Sequence, residues 1–374
     1  MGNGRLAGLV LLDLRKALDT VDHGIMLDKL QAMGVSNTSW FKSYLSDRFQ
    51  CVDVDGVRSS FLGVTCGVPQ GSILGPLLFL VYINDMHRSV TCRLSLYADD
   101  SALIFSHSDH AVIAERLSIE LSSCQKWLID NRLSLHVGKT ECIIFGSGRR
   151  LKETGNFAVS CDGMSVDQVA KVKYLGVTLD QAFKFSEHVT GLINRCAGRV
   201  GFLYRNSSFL DFECRKIMCN SLIQPYLDYC CSTWYSSISK HLRDRLDVIQ
   251  RRMVRFVLSK DPLYHVSPQD LAKLSWLSIP DRVKFYQLNH VFKIRLGNAP
   301  KYLSASFQPV TQRHSHDTRR SSCDYFVSKE LANSPRSFAF TAIKHWNGLP
   351  RNLKEIEKFE AFKTRLKEYL FASY

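Results

Sequence analysis

A chain of 374 residues with 45% hydrophobic side chains is long enough for two or three domains and a sizeable core. Its formal charge of +14 is unevenly spread: residues 1–185 hold 19 basic and 19 acidic side chains, and residues 186–374 hold 30 and 16. The twelve cysteines are scattered without a Cys-x-x-Cys pair, which suits free thiols in a reducing compartment and speaks against a disulfide scaffold, and the longest strongly apolar run, Ile73 to Ile83, is too short to be a membrane-spanning helix.

Met1-Gly2-Asn3-Gly4-Arg5 leads directly into Leu9-Val10-Leu11-Leu12 and does not read as a secretory signal. That apolar run predicts a buried central strand ending on Asp13. A carboxylate at such a place is costly unless it is paired or holds a metal. Leu18, Val21, Ile25 and Leu27–Leu30 share one helical face, with Gly34 as the stop. Residues 37–65 predict a helix carrying Trp40 and Tyr44, then a hairpin that turns at Asp55-Gly56. Gly67-Val68-Pro69-Gln70-Gly71 breaks the pattern, and its backbone can come close to a ligand, with Gln70 offering both a donor and an acceptor. An apolar helix, Pro76–Met86, follows.

Arg93–Leu96 and Ser101–Phe105 alternate with the period of strands, and Tyr97-Ala98-Asp99-Asp100 lies between them. Two carboxylates at a hairpin tip repel unless a cation or proton intervenes, and hard oxygen ligands suit Mg²⁺. An acidic surface turn is the plain alternative. With Asp13 as a third carboxylate, two Mg²⁺ ions could be held for in-line phosphoryl transfer, with Mn²⁺ as a substitute.

Leu117, Leu121, Cys124 and Leu128 predict an amphipathic helix over residues 110–133, covering the back of a sheet. Val137-Gly138-Lys139-Thr140 is a turn before a strand from Glu141 to Phe145, and Gly146–Gly155 reads as an exposed loop. Val172–Leu179 alternates like one strand. From about Glu187 the chain reads as helices. Leu242, Leu246, Ile249, Met253 and Phe256 line one helix, with Arg243, Arg245, Arg251, Arg252 and Arg255 on its remaining surface, a pattern that suits phosphate contact. Arg313, His314, His316, Arg319 and Arg320 form a second basic cluster. Cys214, Cys219, Cys230 and Cys231 lie close in sequence but fit no zinc-finger spacing. Trp346-Asn347-Gly348-Leu349-Pro350 ends a helix, and a last amphipathic helix carries Phe359, Phe362, Leu366 and Leu370.

Three stretches together, Leu11 to His23, Gly67 to Pro76 and Tyr97 to Asp100, make the chain resemble the reverse transcriptase of non-LTR (LINE-type, jockey-like) retrotransposons. The resemblance implies an α+β fold. Its first part is a right-hand polymerase palm, an antiparallel sheet with helices on one face, at 1–180. A basic helical thumb-like region at 181–260 and a helical C-terminal region at 261–374 follow. It implies that Asp13, Asp99 and Asp100 are the metal-site carboxylates, Asp13 and Asp99 directly and Asp100 in support, and that Lys139 protonates the leaving pyrophosphate. Pro69, Gln70 and Gly71 then sit beside the incoming deoxynucleoside triphosphate and template base. Leu18 stands where the family carries an aromatic that blocks the ribose 2′-hydroxyl. Tyr174-Leu175-Gly176 resembles the segment that grips the primer, and Arg243, Arg251, Arg252 and Arg255 would hold the RNA template and DNA primer. No membrane and no disulfide partner is expected. Only twelve residues precede Asp13, so the resemblance implies an N-terminally truncated chain whose fingers are largely absent. The setting it implies is assembly in the cytoplasm and synthesis at chromatin in the nucleus. A catalytically silent nucleic-acid-binding remnant is the alternative.

Overall fold

The computed structural model of the protein describes residues 4–155, 157–310 and 323–372. The chain forms two compact units. One runs to Gly176 and includes Asp180–Ala182; the other comprises Val177–Leu179 and everything from Phe183.

In the first unit the apolar run near the N-terminus is the inner part of β1 (Leu6–Leu12). After α1 (His23–Ala32) and α2 (Ser39–Leu45), the predicted hairpin is two short ladders, β2 (Phe49–Gln50) with β5 (Leu62–Gly63) and β3 (Asp53–Val54) with β4 (Val57–Arg58). Its turn is at Asp55-Gly56 as expected, both with positive φ. Then come α3 (Leu74–Ile83), β6 (Arg93–Tyr97), β7 (Asp100–His107), α4 (His110–Asp130), β8 (Glu141–Phe145), α5 (Gly148–Glu153), β9 (Val159–Cys161), β10 (Met164–Gln168) and β11 (Lys171–Tyr174). Six strands make one sheet in the order β6-β7-β1-β8-β10-β9. It is mixed rather than purely antiparallel, because β10 runs parallel to β8.

A side chain is excluded at Gly8: a Cβ there would lie 2.5 Å from Ile113 and 2.6 Å from Leu117. α4 therefore settles directly on β1. Alternation then turns Gly8, Val10 and Leu12 towards α4, and Leu9, Leu11 and Asp13 to the opposite face. Leu117, Leu121 and Leu128 are fully buried in the core beneath that helix. Each such burial contributes about 1.5–3 kcal/mol.

Four local expectations are corrected. The helix expected from Leu18 begins at His23, because the Asp22 carboxylate accepts the Ile25 N–H at 3.0 Å and caps it there. That bond is the main cause that holds the Asp22 carboxyl below its usual range. The expected loop Gly146–Gly155 contains α5, capped by Ser147. The apolar helix stops at Ile83 and continues as a 3₁₀ segment, Asn84–Ser89. The single strand expected over Val172–Leu179 is broken at Leu175 and Gly176, both with positive φ.

The second unit starts with the first three residues of β12 (Val177–Asp180) and, from Phe183, continues as helices among its described residues. They are α6 (Ser186–Arg205), α7 (Phe212–Leu222), α8 (Gln224–Asp228), α9 (Cys231–Trp234), α10 (Lys240–Val257) and α11 (Pro268–Lys273). Then follow α12 (Ile279–Arg295), α13 (Lys301–Ser304), α14 (Lys329–Ala332), α15 (Phe338–Asn347), α16 (Arg351–Lys354) and α17 (Phe359–Phe371). One core joins Trp234 to buried apolar side chains of α6 and α10. The other is built on Phe292, Trp346 and Phe362, with Phe292 and Phe362 stacked at 4.2 Å. The Trp346-Asn347 pair has a structural task. Asn347 accepts from the Tyr325 N–H at 3.0 Å and donates to the Tyr325 carbonyl at 2.8 Å, while the Trp346 indole donates to the Cys323 carbonyl. Burial pushes the Cys219 and Cys231 thiols up to about 12, so neither is a ready thiolate. The basic cluster at Arg313, His314, His316, Arg319 and Arg320 lies outside the described residues. Among the described residues no helix is long and apolar enough to cross a membrane.

Candidate active site

β6 and β7 form a hairpin whose turn is only Ala98-Asp99, since Tyr97 and Asp100 already pair. Ala98 takes φ 51, the left-handed conformation that two-residue hairpin turns demand. Asp99 thus sits in the turn and Asp100 opens β7, so the two are not successive residues of one strand. Leu12 pairs with Ser101, and continuing that register by one residue sets Asp13 opposite Asp100 on the sheet face away from α4. Partial burial, then the negative charges of Asp99 and Asp13, hold the Asp100 carboxyl above its ordinary range. Asp100 thus feels the charges of both other carboxylates. The three are not closed into a cage, for among the described residues no three His, Cys, Asp or Glu side chains are gathered so as to hold an ion. The donor chemistry fits a divalent cation: hard oxygens whose mutual repulsion a positive charge would relieve.

Lys139 lies on the other side of Asp13. The β1–β8 pairing ends at Leu11 and Glu141, and the next bridge joins Leu14 to Leu135. The extra residues bulge out as a 3₁₀ turn, Val137–Lys139, beside the end of β1. The bulge is anchored to Asp13: the His136 N–H donates to the Asp13 carbonyl at 2.8 Å. Thr140, fully buried, accepts from the Asp13 N–H at 3.5 Å and donates to the His136 carbonyl at 3.1 Å. Thr140 was missed in the sequence. Its only signal was a small hydroxyl residue at the foot of an apolar strand.

Leu18, Pro69, Gln70 and Gly71 are brought into one junction. The Val68 N–H donates to the Leu18 carbonyl and the Gly67 N–H to the Val21 carbonyl, both at 2.8 Å. The Gln70 amide donates to the Asp19 carboxylate at 2.6 Å. Ser72 closes the far side by donating to the Pro69 carbonyl at 2.7 Å. Gly67, at φ +87, leaves no space for a side chain: a Cβ would meet the Asp19 carbonyl oxygen at 2.7 Å. Gly67→Ala is expected to destabilise the first unit by about 1–3 kcal/mol, from positive φ and a clash with immovable backbone. Urea unfolding checks this, and a midpoint equal to the parent's would refute the packing.

Tyr174 ends β11 and Leu175-Gly176 form the turn after it, and the Tyr174 hydroxyl hydrogen-bonds to Ser95 on β6 at 3.0 Å. The turn is thereby tied to the hairpin that carries Asp99 and Asp100. Of the five arginines of α10, the four expected at nucleic acid divide. Arg243 donates to the Ser236 carbonyl and Arg255 to the Tyr264 carbonyl, so both brace their own unit. Arg251 is exposed and Arg252 half-buried.

Residues 3–179 match the family model described as reverse transcriptase (RNA-dependent DNA polymerase). The chain is 28% identical over 68% of its length to the RNA-directed DNA polymerase from mobile element jockey of Drosophila melanogaster. It is 27% identical over 82% to that of Drosophila funebris, and 28% over 66% to the probable RNA-directed DNA polymerase from transposon X-element. It spans only 29%, 34% and 28% of those relatives' own lengths. Among solved structures, telomerase from Candida albicans in complex with a fragment of telomeric RNA covers 75% of this chain and 48% of its own, at 10% identity and a TM-score of 0.29, too slight a likeness to argue from. Residues 3–179, a little under half of the chain, are thus similar to reverse transcriptases, and the chain as a whole to the polymerases of jockey-like non-LTR retrotransposons.

Proposed function

We propose that the chain is an RNA-directed DNA polymerase, adding deoxynucleotides to a DNA 3′-hydroxyl on an RNA template. The observation that carries the proposal is the placement of three carboxylates at one sheet end: Asp99 in the β6–β7 turn, Asp100 at the start of β7, and Asp13 just past β1, opposite Asp100 by the β1–β7 register. In this reading residues 1–180 are the palm, 181–260 a thumb-like region and 261–374 a helical C-terminal region. Asp13, Asp99 and Asp100 would hold two Mg²⁺ ions, or Mn²⁺, whose chemistry is to activate the primer hydroxyl and neutralise the departing pyrophosphate. Lys139, exposed on its bulge, gives the pyrophosphate a proton. Gln70 and Gly71 position nucleotide and template, Leu18 and Pro69 shape that pocket, and the Tyr174–Gly176 turn steadies the primer end. Arg251 and Arg252 contact phosphates, whereas Arg243 and Arg255 shape the helix that presents them.

A second reading is a nucleic-acid-binding remnant without catalysis, favoured by the absence, among the described residues, of a closed three-carboxylate cluster. A primed poly-A template, labelled dTTP and Mg²⁺ separate the two. The polymerase incorporates label. The remnant binds the duplex with affinity that falls steeply with salt and incorporates none.

A further inference from the structure

We propose that Asp19 is the positioning residue of Gln70. It fixes which end of the Gln70 amide faces the substrate; the proposal rests on the polymerase reading of the Gly67–Gly71 loop. Asp19 ends a short 3₁₀ turn, Ala17–Asp19, whose backbone is pinned to that loop. The Cys66 thiol donates to the Asp19 carbonyl at 3.4 Å, and the flanking Leu18 and Val21 carbonyls take the Val68 and Gly67 N–H groups. His23 adds a bond from its ring Nε2 to the Gly67 carbonyl at 2.8 Å. Both side chains are exposed, so their 2.6 Å contact is not a by-product of core packing.

The chemistry of the contact sets a direction. A carboxylate only accepts, and of the Gln70 amide only the nitrogen donates. With Nε2 committed to Asp19, the Gln70 carbonyl oxygen is the atom turned outward. The loop therefore presents the carbonyl oxygen in a fixed orientation, an acceptor for a hydroxyl or N–H donor on the substrate, beside the one N–H that Asp19 leaves free. A free glutamine would present either end and would lose rotamer freedom on binding.

The test is a charge swap, read as dTTP KM against kcat on primed poly-A. Asp19→Ala is expected to raise KM about tenfold, the loss of one charge-assisted hydrogen bond, with kcat within about twofold. Gln70→Glu alone sets two carboxylates face to face and raises KM at least as much. Asp19→Asn with Gln70→Glu restores the bond with its donor reversed and still leaves a carboxylate oxygen outward; KM should return to within about threefold of the parent. A purely structural Asp19 would lower the melting temperature and kcat and gain nothing from the swap. An unchanged KM in Asp19→Ala, or a swap no better than Gln70→Glu, overturns the proposal. The contact is also read without turnover, from the Gln70 side-chain amide ¹H–¹⁵N signals of the full chain. Asp19→Ala must move them, and unmoved signals overturn the proposal. If the parent incorporates nothing, the polymerase reading fails, while the amide signals still decide whether Asp19 orients Gln70.

Discussion

Asp99→Asn, and separately Asp13→Asn, should cut template-dependent incorporation by at least about a thousandfold, roughly 4 kcal/mol of barrier, without unfolding the chain. Either change removes a negative charge from the set that would hold the metal ions while preserving side-chain volume. The fold should tolerate it, because Asp99 is an exposed turn residue and Asp13 is half-buried at a strand end. Stability should even rise. The Asp100 carboxyl is held above its ordinary value of 3.8 by partial burial and by the charges of Asp99 and Asp13. A group whose folded value is raised favours the fold only where it is protonated. That contribution is complete below 3.8 and is lost as pH rises through the raised value. At neutral pH the Asp100 charge therefore works against folding. Asp100→Asn should raise the melting temperature at pH 7, and the gain should vanish in acid. Incorporation by Asp99→Asn equal to the parent's would remove Asp99 from the site. A melting temperature lowered at pH 7 by all three substitutions would mean that the carboxylates support the fold rather than burden it.

The ends of the central strands were legible because two signals coincide there. An unbroken apolar run cannot carry a carboxylate inside the sheet, so Asp13 marks where β1 leaves it. Two aspartates between alternating segments mark a hairpin tip. Register was not legible. That Asp13 faces Asp100 depends on the pairing of Leu12 with Ser101, which no local pattern encodes. The break at Leu175 was hidden because a bulky residue rarely adopts positive φ, and only Gly176 hinted at it. β9 and β10 were missed although Asp162-Gly163, both at positive φ, is a strong hairpin signal; their polar, short strands gave the period of two little to act on. The start of α1 was readable in Asp22, a capping residue, but the apolar spacing from Leu18 outweighed it. Long-range polar pairing lay beyond the sequence altogether. Asp19 meets Gln70 across 51 residues, and even the shorter bonds of Arg243 and Arg255 to carbonyls 7 and 9 residues away were not marked by their spacing.

The second unit also holds a buried ion pair that joins two helices distant in sequence. Asp228, the last residue of α8, receives two hydrogen bonds from Arg282 on α12, that from Nη2 at 2.6 Å, and both side chains are about four-fifths buried. Burial works against the Arg282 charge, and Asp228 more than offsets it. Once one partner is removed, the other is a desolvated charge with nothing to neutralise it. Asp228→Ala should therefore cost about 3 kcal/mol, the lower end of what breaking a buried pair costs, since some solvent reaches both groups. That is a large fraction of a typical stability of about 5–15 kcal/mol. The pair itself is worth far less than this penalty, because forming it required drying two ions. Replacing both, with Asp228→Leu and Arg282→Met, should lie within about 1 kcal/mol of the parent. Urea unfolding followed by tryptophan fluorescence reads the transition, with Trp234, buried in the same core, as one reporter. A double replacement as damaging as Asp228→Ala would show that the ion pair is favourable in its own right. An Asp228→Ala midpoint within the range of surface substitutions would show that Arg282 finds water or another acceptor when Asp228 is gone.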